Sequence, residues 1–489
     1  MPRTRSPWWV LATAGLAQLM IVLDSTVVTI ALPVAQRDLG ISDASRAWVV
    51  TAYALAFGGL LLVGGRLSDR LGLWRAFVIG LIGFAVASAL AGLAPTAALL
   101  FAGRAAQGVF AALLAPAGLS IISSTYTRPR ERGIAFGVFG ALTGAGAAAG
   151  LLLGGVLTEY ASWRWGLLIN VPIVVMALVW AAVFVPRVPG HPVRIDVAGA
   201  LSSVIAMTAF VFALSEGAVY GWASLVVLGC FAVAVLAMVG FVVAHGRTHE
   251  PLLPFRIVLH RERGASFLAF GLPQVSLFGF YLVMTYWFQE LLGYSPVLAG
   301  TAFVPFAAAT ALSSTVLTPR LAKRLRPRTL VIGAAAMMAL GVLLLVGMSP
   351  DTDGLFLTRF LPAQLLAGIG LGCALNTGIS MATHGVAPNE AGVASAAVNA
   401  VNQLCGAIGT ALLNAIAATV TAAGLGDAAR TSLSAADAIV HGFDVAMLTA
   451  AGVLVLTAVL VAVIMPRRAR PVAKNRSADG EALPAEIVG

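Results

Sequence analysis

Charge is what this chain has least of. Asp, Glu, Lys and Arg together make up 10% of its 489 residues, against about 25% in an ordinary soluble domain. That shortage excludes a cytosolic enzyme, a soluble binding module and a disordered protein. Cysteine is nearly absent too. Cys230, Cys373 and Cys405 each sit in an apolar stretch, so neither a disulfide framework nor a Cys-rich metal site is available. Lysine occurs twice, as Lys323 and Lys474. There is no Walker A sequence, no H-E-x-x-H, no metal cluster and no catalytic triad, and Gly65 to Gly72 is not a phosphate loop. The expectation is a protein that is not an enzyme and carries no cofactor or metal.

What is present is apolar. Hydrophobic residues are 60% of the chain, enough for about fourteen bilayer crossings at ~20 residues each. Apolar runs fall at 8–32, 47–65, 76–94, 97–123, 133–157, 165–186, 197–215, 223–244, 264–288, 297–319, 329–348, 356–381, 391–420 and 443–465. The first follows Arg3 and Arg5 like a signal peptide, but it is long, contains Asp24 and reaches Pro33 without a clear cleavage site. It is read as an uncleaved span. With residues 1–7 in the cytoplasm, inside segments hold 24 of the 30 basic residues, outside loops five, and a span holds Arg104. This is strong positive-inside bias, and it accounts for the net charge of +10 without nucleic acid. Both termini are expected inside, the tail 466–489 as a disordered basic segment.

The chain also repeats itself. Arg66-Leu67-Ser68-Asp69-Arg70-Leu71 returns as Arg320-Leu321-Ala322-Lys323-Arg324-Leu325, an offset of 254. The same offset carries spans 1 to 5 onto spans 9 to 13. The expected architecture is an all-α polytopic membrane protein. A six-helix bundle covers 8–186, two inserted helices 197–244, and a second six-helix bundle 264–465. Half-repeats around a central site are a common transporter plan.

Several motifs carry a resemblance. Leu23-Asp24-Ser25-Thr26-Val27-Val28-Thr29-Ile30-Ala31-Leu32-Pro33 is similar to L-D-x-T-V-V-N-V-A-L-P, with Thr29 for Asn. Gly65-Arg66-Leu67-Ser68-Asp69-Arg70-Leu71-Gly72 is similar to G-x-L-[AS]-D-R-x-G, and Arg104-Ala105-Ala106-Gln107-Gly108 to R-x-x-Q-G. Span 5 resembles an antiporter signature, with Leu151 where G-P-x-x-G-G has Pro. Trp163-Arg164-Trp165 and Asn170-Val171-Pro172 match the usual entry to span 6. On these residues the chain resembles the fourteen-span drug:proton antiporters of the major facilitator superfamily. The resemblance implies export of amphipathic small molecules by alternating access, with the proton gradient as energy source. It implies a multi-pass protein of the bacterial inner membrane that works as a monomer. Two Lys against 28 Arg and abundant Ala suit a high-GC genome.

Asp24 and Arg104 are the expected coupling pair. A charged group within a span costs at least ~2.5–3.5 kcal/mol and faces a cavity or a partner. Both lie about 10–12 Å below the outer surface by helical rise. A permanent ion pair that only fixes packing is the bland alternative. Gly65, Asp69, Arg70 and Gly72 belong, by resemblance, to a cytoplasmic gating loop. Gly140, Gly144, Gly150, Gly154 and Gly155 form the antiporter-type span 5, where small residues permit close helix contact. Gln107, Gln274, Tyr281, Tyr286, Asn376, Asn399, Asn402 and Gln403 are the cavity candidates. Three of these amides share one face of span 13 and either line the cavity or bond to neighbouring helices. A single deep carboxylate favours neutral or zwitterionic aromatic substrates. The rivals are a proton-coupled nutrient importer and, in another class, a membrane enzyme or channel.

Overall fold

A computed structural model describes residues 7–43, 45–126, 128–187, 189–190, 196–247, 261–350, 352–383, 391–428 and 435–465. The expected tail 466–489 and residues 1–6 lie outside this set. Among the described residues the chain is helical and no strand occurs. The helices are α1 Pro7–Leu39, α2 Trp48–Leu71, α3 Leu73–Gly92, α4 Ala97–Thr125 and α5 Pro129–Tyr160. They continue as α6 Trp165–Phe184, α7 Val197–Tyr220, α8 Leu225–Arg247 and α9 Arg261–Tyr286. The last five are α10 Pro296–Leu321, α11 Pro327–Leu343, α12 Leu361–Thr383, α13 Ala391–Ala428 and α14 Ala435–Ile464. Each expected span has a helical counterpart. Among the described residues eleven helices are long and apolar enough to cross a membrane, or twelve with α2, which bends by 58° near its middle. Among the described residues α5 yields only the apolar helix Ala149–Tyr160, and α11 has 17 residues. The molecule is a multi-span membrane protein.

Local chemistry sets the helix ends. Thr96 caps α4 by accepting from the Leu99 N–H, and Asp196 caps α7 by accepting from the Gly199 N–H at 2.8 Å. Gly72 separates α2 from α3 at φ 87°, a left-handed backbone that favours glycine. Here "proximal" names the end where α1 begins and "distal" the end where it finishes.

The two halves repeat a packing contact. A Cβ on Gly108 of α4 would touch Tyr53, Ala56 and Phe57 of α2. A Cβ on Gly368 of α12 would touch Phe306, Ala309 and Thr310 of α10. The α2-to-α10 offset is therefore 253 in mid-helix, while the Arg66 and Arg320 loops are offset by 254. A π-helical turn, Ser313–Leu317, lies between the two registers and takes up the extra residue. Two further π-turns, Trp287–Leu291 after α9 and Phe356–Phe360 before α12, break the α-helical ladder at distal ends.

The pair α7 and α8 packs on the seam between halves. Leu55 of α2, Val211 and Leu214 of α7 and Ala411 of α13 form one buried apolar cluster. α8 leaves Leu225, Leu228, Val235, Leu236 and Val239 exposed. An all-round apolar helix in that position suits lipid rather than water.

Candidate functional site

Asp24 and Arg104 meet in the first half, and both are fully buried. The Arg104 guanidinium donates to Asp24 Oδ2 at 2.6 Å, to Gln107 Oε1 at 2.9 Å and, through Nε, to the Val49 carbonyl at 2.9 Å. Its plane lies over the Tyr53 ring, 4.5 Å from the centroid, a cation–π contact. The other carboxylate oxygen accepts from Gln107 Nε2 at 3.0 Å and from Asn170 Nδ2 at 2.7 Å. Both amides also donate to Ser88 Oγ, and the Ser88 hydroxyl donates to the Leu167 carbonyl. Five helices thus contribute to one cluster: α1, α4 and α6 meet at the carboxylate, and α2 and α3 hold its partners. Each of these contacts to Asp24 comes from a donor, so the arrangement suits an anion. Burying two charges is costly unless geometry and added hydrogen bonds compensate, and here they do. Two atoms stay unsatisfied, Asn170 Oδ1 and the Tyr53 hydroxyl.

Gln107, assigned to the cavity from sequence, is instead a wholly buried member of this cluster. Its position one turn beyond Arg104 aims it at the same carboxylate. Ser88, Asn170, Tyr53 and the Val49 carbonyl escaped sequence reasoning. Asn170 could have been found, as a polar residue inside the apolar span 165–186. Ser88 gave no signal in an apolar run rich in Ala and Gly.

The glycine helix α5 serves two interfaces. Toward α1, a Cβ on Gly150 would lie 1.9 Å from Thr26 Oγ1, and one on Gly154 would lie 3.0 Å from the Val27 backbone. Toward the second half, a Cβ on Gly155 would lie 2.5 Å from the Pro296 carbonyl, and one on Gly300 2.5 Å from the Leu151 carbonyl. α5 runs unbroken through Leu151, whose backbone is part of this cross-half seam. Gly140 and Gly144 lie in α5 nearer its proximal end.

The distal ends of the halves are joined by polar contacts. Arg46, 6% exposed, donates to Asn414 Oδ1 at 2.8 Å and stacks 3.9 Å over Tyr286. Asn414 donates to the Asp43 carbonyl, Tyr286 donates to Gln36, and Gln289 donates to the Ile30 carbonyl. Glu159 accepts from the Val297 N–H at 2.9 Å. The Ser295 hydroxyl, and then that bond, hold the Glu159 carboxyl below the usual carboxylate range. The Arg46–Asn414 contact was not foreseen, because those partners lie 368 residues apart.

The remaining candidates scatter. Gln274 is buried on α9. Tyr281 is half-buried among Phe280, Phe303 and Phe306. Tyr286 lines a distal cavity rather than a central one. Asn376 donates to the Ser314 carbonyl at 3.0 Å, a bond to a neighbouring helix. Asn402 and Gln403 are partly exposed on α13, with Gln403 against Gly58 of α2. The Asn399 side chain lies outside the description. At the junction of α2 and α3, the expected gating loop, Asp69 and Arg70 are exposed at the proximal end, Gly72 makes the turn, and Gly65 faces Pro116 of α4.

A helical membrane protein with paired halves, a charge cluster inside one of them and a sealed distal seam belongs to the class of secondary transporters. The family model described as Major Facilitator Superfamily matches residues 14–410, and the chain belongs to that family. It is 48% identical over 472 residues to "Puromycin resistance protein pur8" of Streptomyces alboniger, covering 96% of this chain and 94% of that protein. It is 37% identical over 465 residues to "Cephamycin export protein CmcT" of Amycolatopsis lactamdurans, covering 94% of each. Among solved structures, an auto-inhibited POT family peptide transporter gives a TM-score of 0.68 at 16% identity, covering 97% of this chain and 99% of that one. A bacterial homologue of the lysosomal transporter Spinster, solved inward-facing and unoccupied, gives 0.62 at 17% identity, with 93% and 96% covered. Those two likenesses concern the fold.

Proposed function

We propose that this chain exports amphipathic small molecules of the antibiotic class from a bacterial cell, in exchange for protons, by alternating access. Near-full-length likeness to resistance and export proteins supports the direction and the substrate class. The fully buried Asp24–Arg104 pair carries the coupling part of the reading. With positive charge inside, both termini and the proximal end face the cytoplasm and the distal end faces out. In this state the contacts across the distal seam bar entry from outside. No cofactor enters the cycle; its partners are the passenger, protons and the lipid bilayer, and one chain suffices.

The cluster supplies a mechanism. Ionised Asp24 neutralises Arg104 and draws α1, α4 and α6 together. A proton arriving on Asp24 leaves Arg104 uncompensated in an apolar interior, which weakens that link. A protonated carboxyl also needs an acceptor. Asn170 Oδ1 has no partner, and turning that amide about its own axis presents the oxygen to Asp24. Asn170 thereby distinguishes the two protonation states.

The test is a susceptibility screen. The chain is expressed in a host without efflux pumps and challenged with puromycin and cephamycin, followed by transport assays in everted vesicles. Protection with proton-driven accumulation in those vesicles is expected. Substrate uptake into intact cells, with no protection, would instead establish an importer.

A further inference from the structure

A cavity of about 480 Å³ lies at the distal end between the two halves. That is within the ~300–1,000 Å³ range of small-molecule sites. It lies at the distal rim, apart from the Asp24 cluster within the first half. One wall is apolar, from Ala418 and Leu425 of α13 and Phe443 of α14. The facing wall is polar. Arg46 in that wall is already engaged by Asn414, Asp43 and Tyr286. Arg37 of α1 and Glu290, in the π-turn after α9, differ. They stand 3.6 Å apart, with side chains 64% and 38% exposed. An ion pair so long and so solvated holds its partners weakly. Beside the mutually engaged Arg46 and Asp43, the rim therefore offers Arg37 and Glu290 side by side, both able to change partners, above an apolar floor.

We propose that this cavity is a second ligand site, and that it takes a zwitterionic amphiphile. The anionic group of the ligand takes Arg37, its cationic group takes Glu290, and its apolar body covers Ala418, Leu425 and Phe443. Arg37 belongs to the first half, whereas Glu290 and the apolar floor belong to the second. A ligand seated here bridges the halves and binds the closed distal end better than an opened one. It therefore holds that end closed. Such a molecule inhibits export from the distal side instead of being carried. Only this last consequence rests on the exporter reading; the binding itself does not.

The test uses the full chain in nanodiscs of phosphatidylglycerol, with radiolabelled N-dodecyl-N,N-dimethylglycine below its micellar concentration as probe. Equilibrium dialysis should give one site per chain. Ala418→Phe, which fills the floor, should weaken binding at least tenfold. So should the double variant Arg37→Gln with Glu290→Gln, whose changes lie at the exposed rim and spare the packed interior. Undiminished binding in both would overturn the proposal. Adding phosphatidylethanolamine distinguishes the source of the zwitterion. Displacement of the probe assigns the site to a lipid headgroup, and no displacement assigns it to a soluble amphiphile; either supports the site. In wild-type vesicles, probe on the distal side should slow export, and Ala418→Phe should escape this. If the chain exported nothing, the exporter reading would fall while the dialysis result still decided the site.

Discussion

Arg104 and Gln364 occupy the same place in the two halves. Each lies four residues before a glycine, Gly108 or Gly368, that packs on the equivalent helix of its half. Both side chains are fully buried. Arg104 donates to Asp24, Gln107 and the Val49 carbonyl, whereas neither the nitrogen nor the oxygen of the Gln364 amide has a partner. An unsatisfied buried polar group costs about 1–3 kcal/mol. Gln364→Met, similar in shape and apolar, should therefore raise stability by about 1 kcal/mol, read as a higher unfolding temperature in detergent. If stability rises but export disappears, the amide serves the transport cycle.

Asp24→Asn retains the outline of the carboxylate and removes its titration. The variant should insert and bind substrate normally, yet fail to concentrate it. Asp24→Glu should retain partial export. Drug-induced proton release in everted vesicles, measured beside substrate binding, separates these outcomes. Wild-type exchange by Asp24→Asn would move the proton site elsewhere.

Arg104 uses its fork on three partners at once, which a Lys ammonium cannot reproduce in the same plane. Arg104→Ala should abolish gradient-driven export and destabilise the fold by about 3–5 kcal/mol, since it leaves a buried carboxylate unpaired. Arg104→Lys should retain some export. Full activity from a correctly inserted Arg104→Ala protein would remove Arg104 from the mechanism.

Gly155 should be intolerant of side chains. A valine there meets the Pro296 carbonyl, and that backbone cannot move without parting the halves. Gly155→Val should disfavour the distally closed state. Spin labels placed across the distal seam should show longer distances, with export reduced at least tenfold.

Glu159 gives the distal seam a pH dependence. Its carboxyl is held below the usual carboxylate range by the Ser295 hydroxyl and the Val297 N–H. A depressed folded-state value means that the contact contributes in full above the ordinary glutamate range of about 4.3. The contribution is lost as pH falls through the lower, folded value. The same spin-label distances should hold at neutral pH and lengthen only in stronger acid. Glu159→Gln should remove that step.

The helices and the Asp24–Arg104 pair were legible because lipid imposes strong rules. Apolar runs must reach a fixed length, and a charge inside one must find a partner. Matching depth on α1 and α4 was enough to join those two residues. Gln107 was misplaced because helical spacing shows which face a residue takes but not what that face meets. Asn414 and Arg46 were invisible for a related reason: their contact depends on how two halves dock, which no local periodicity records. The π-turn Ser313–Leu317 left a trace, since it separates the offset of 253 from that of 254. That trace became readable only with the helix contacts in view.

If the single carboxylate of the charge cluster carries the coupled proton, the work done per cycle has a ceiling. A single proton falling through 100 mV releases about 2.3 kcal/mol, and each unit of pH difference adds about 1.4 kcal/mol. Together these sustain a concentration ratio of several hundredfold for an uncharged passenger, by the rule of ~1.4 kcal/mol per tenfold. A passenger carrying one positive charge outward cancels the electrical share and is left with only about tenfold from one pH unit. If Asp24 is the proton carrier, this pump's electrical driving force favours cargo without net positive charge.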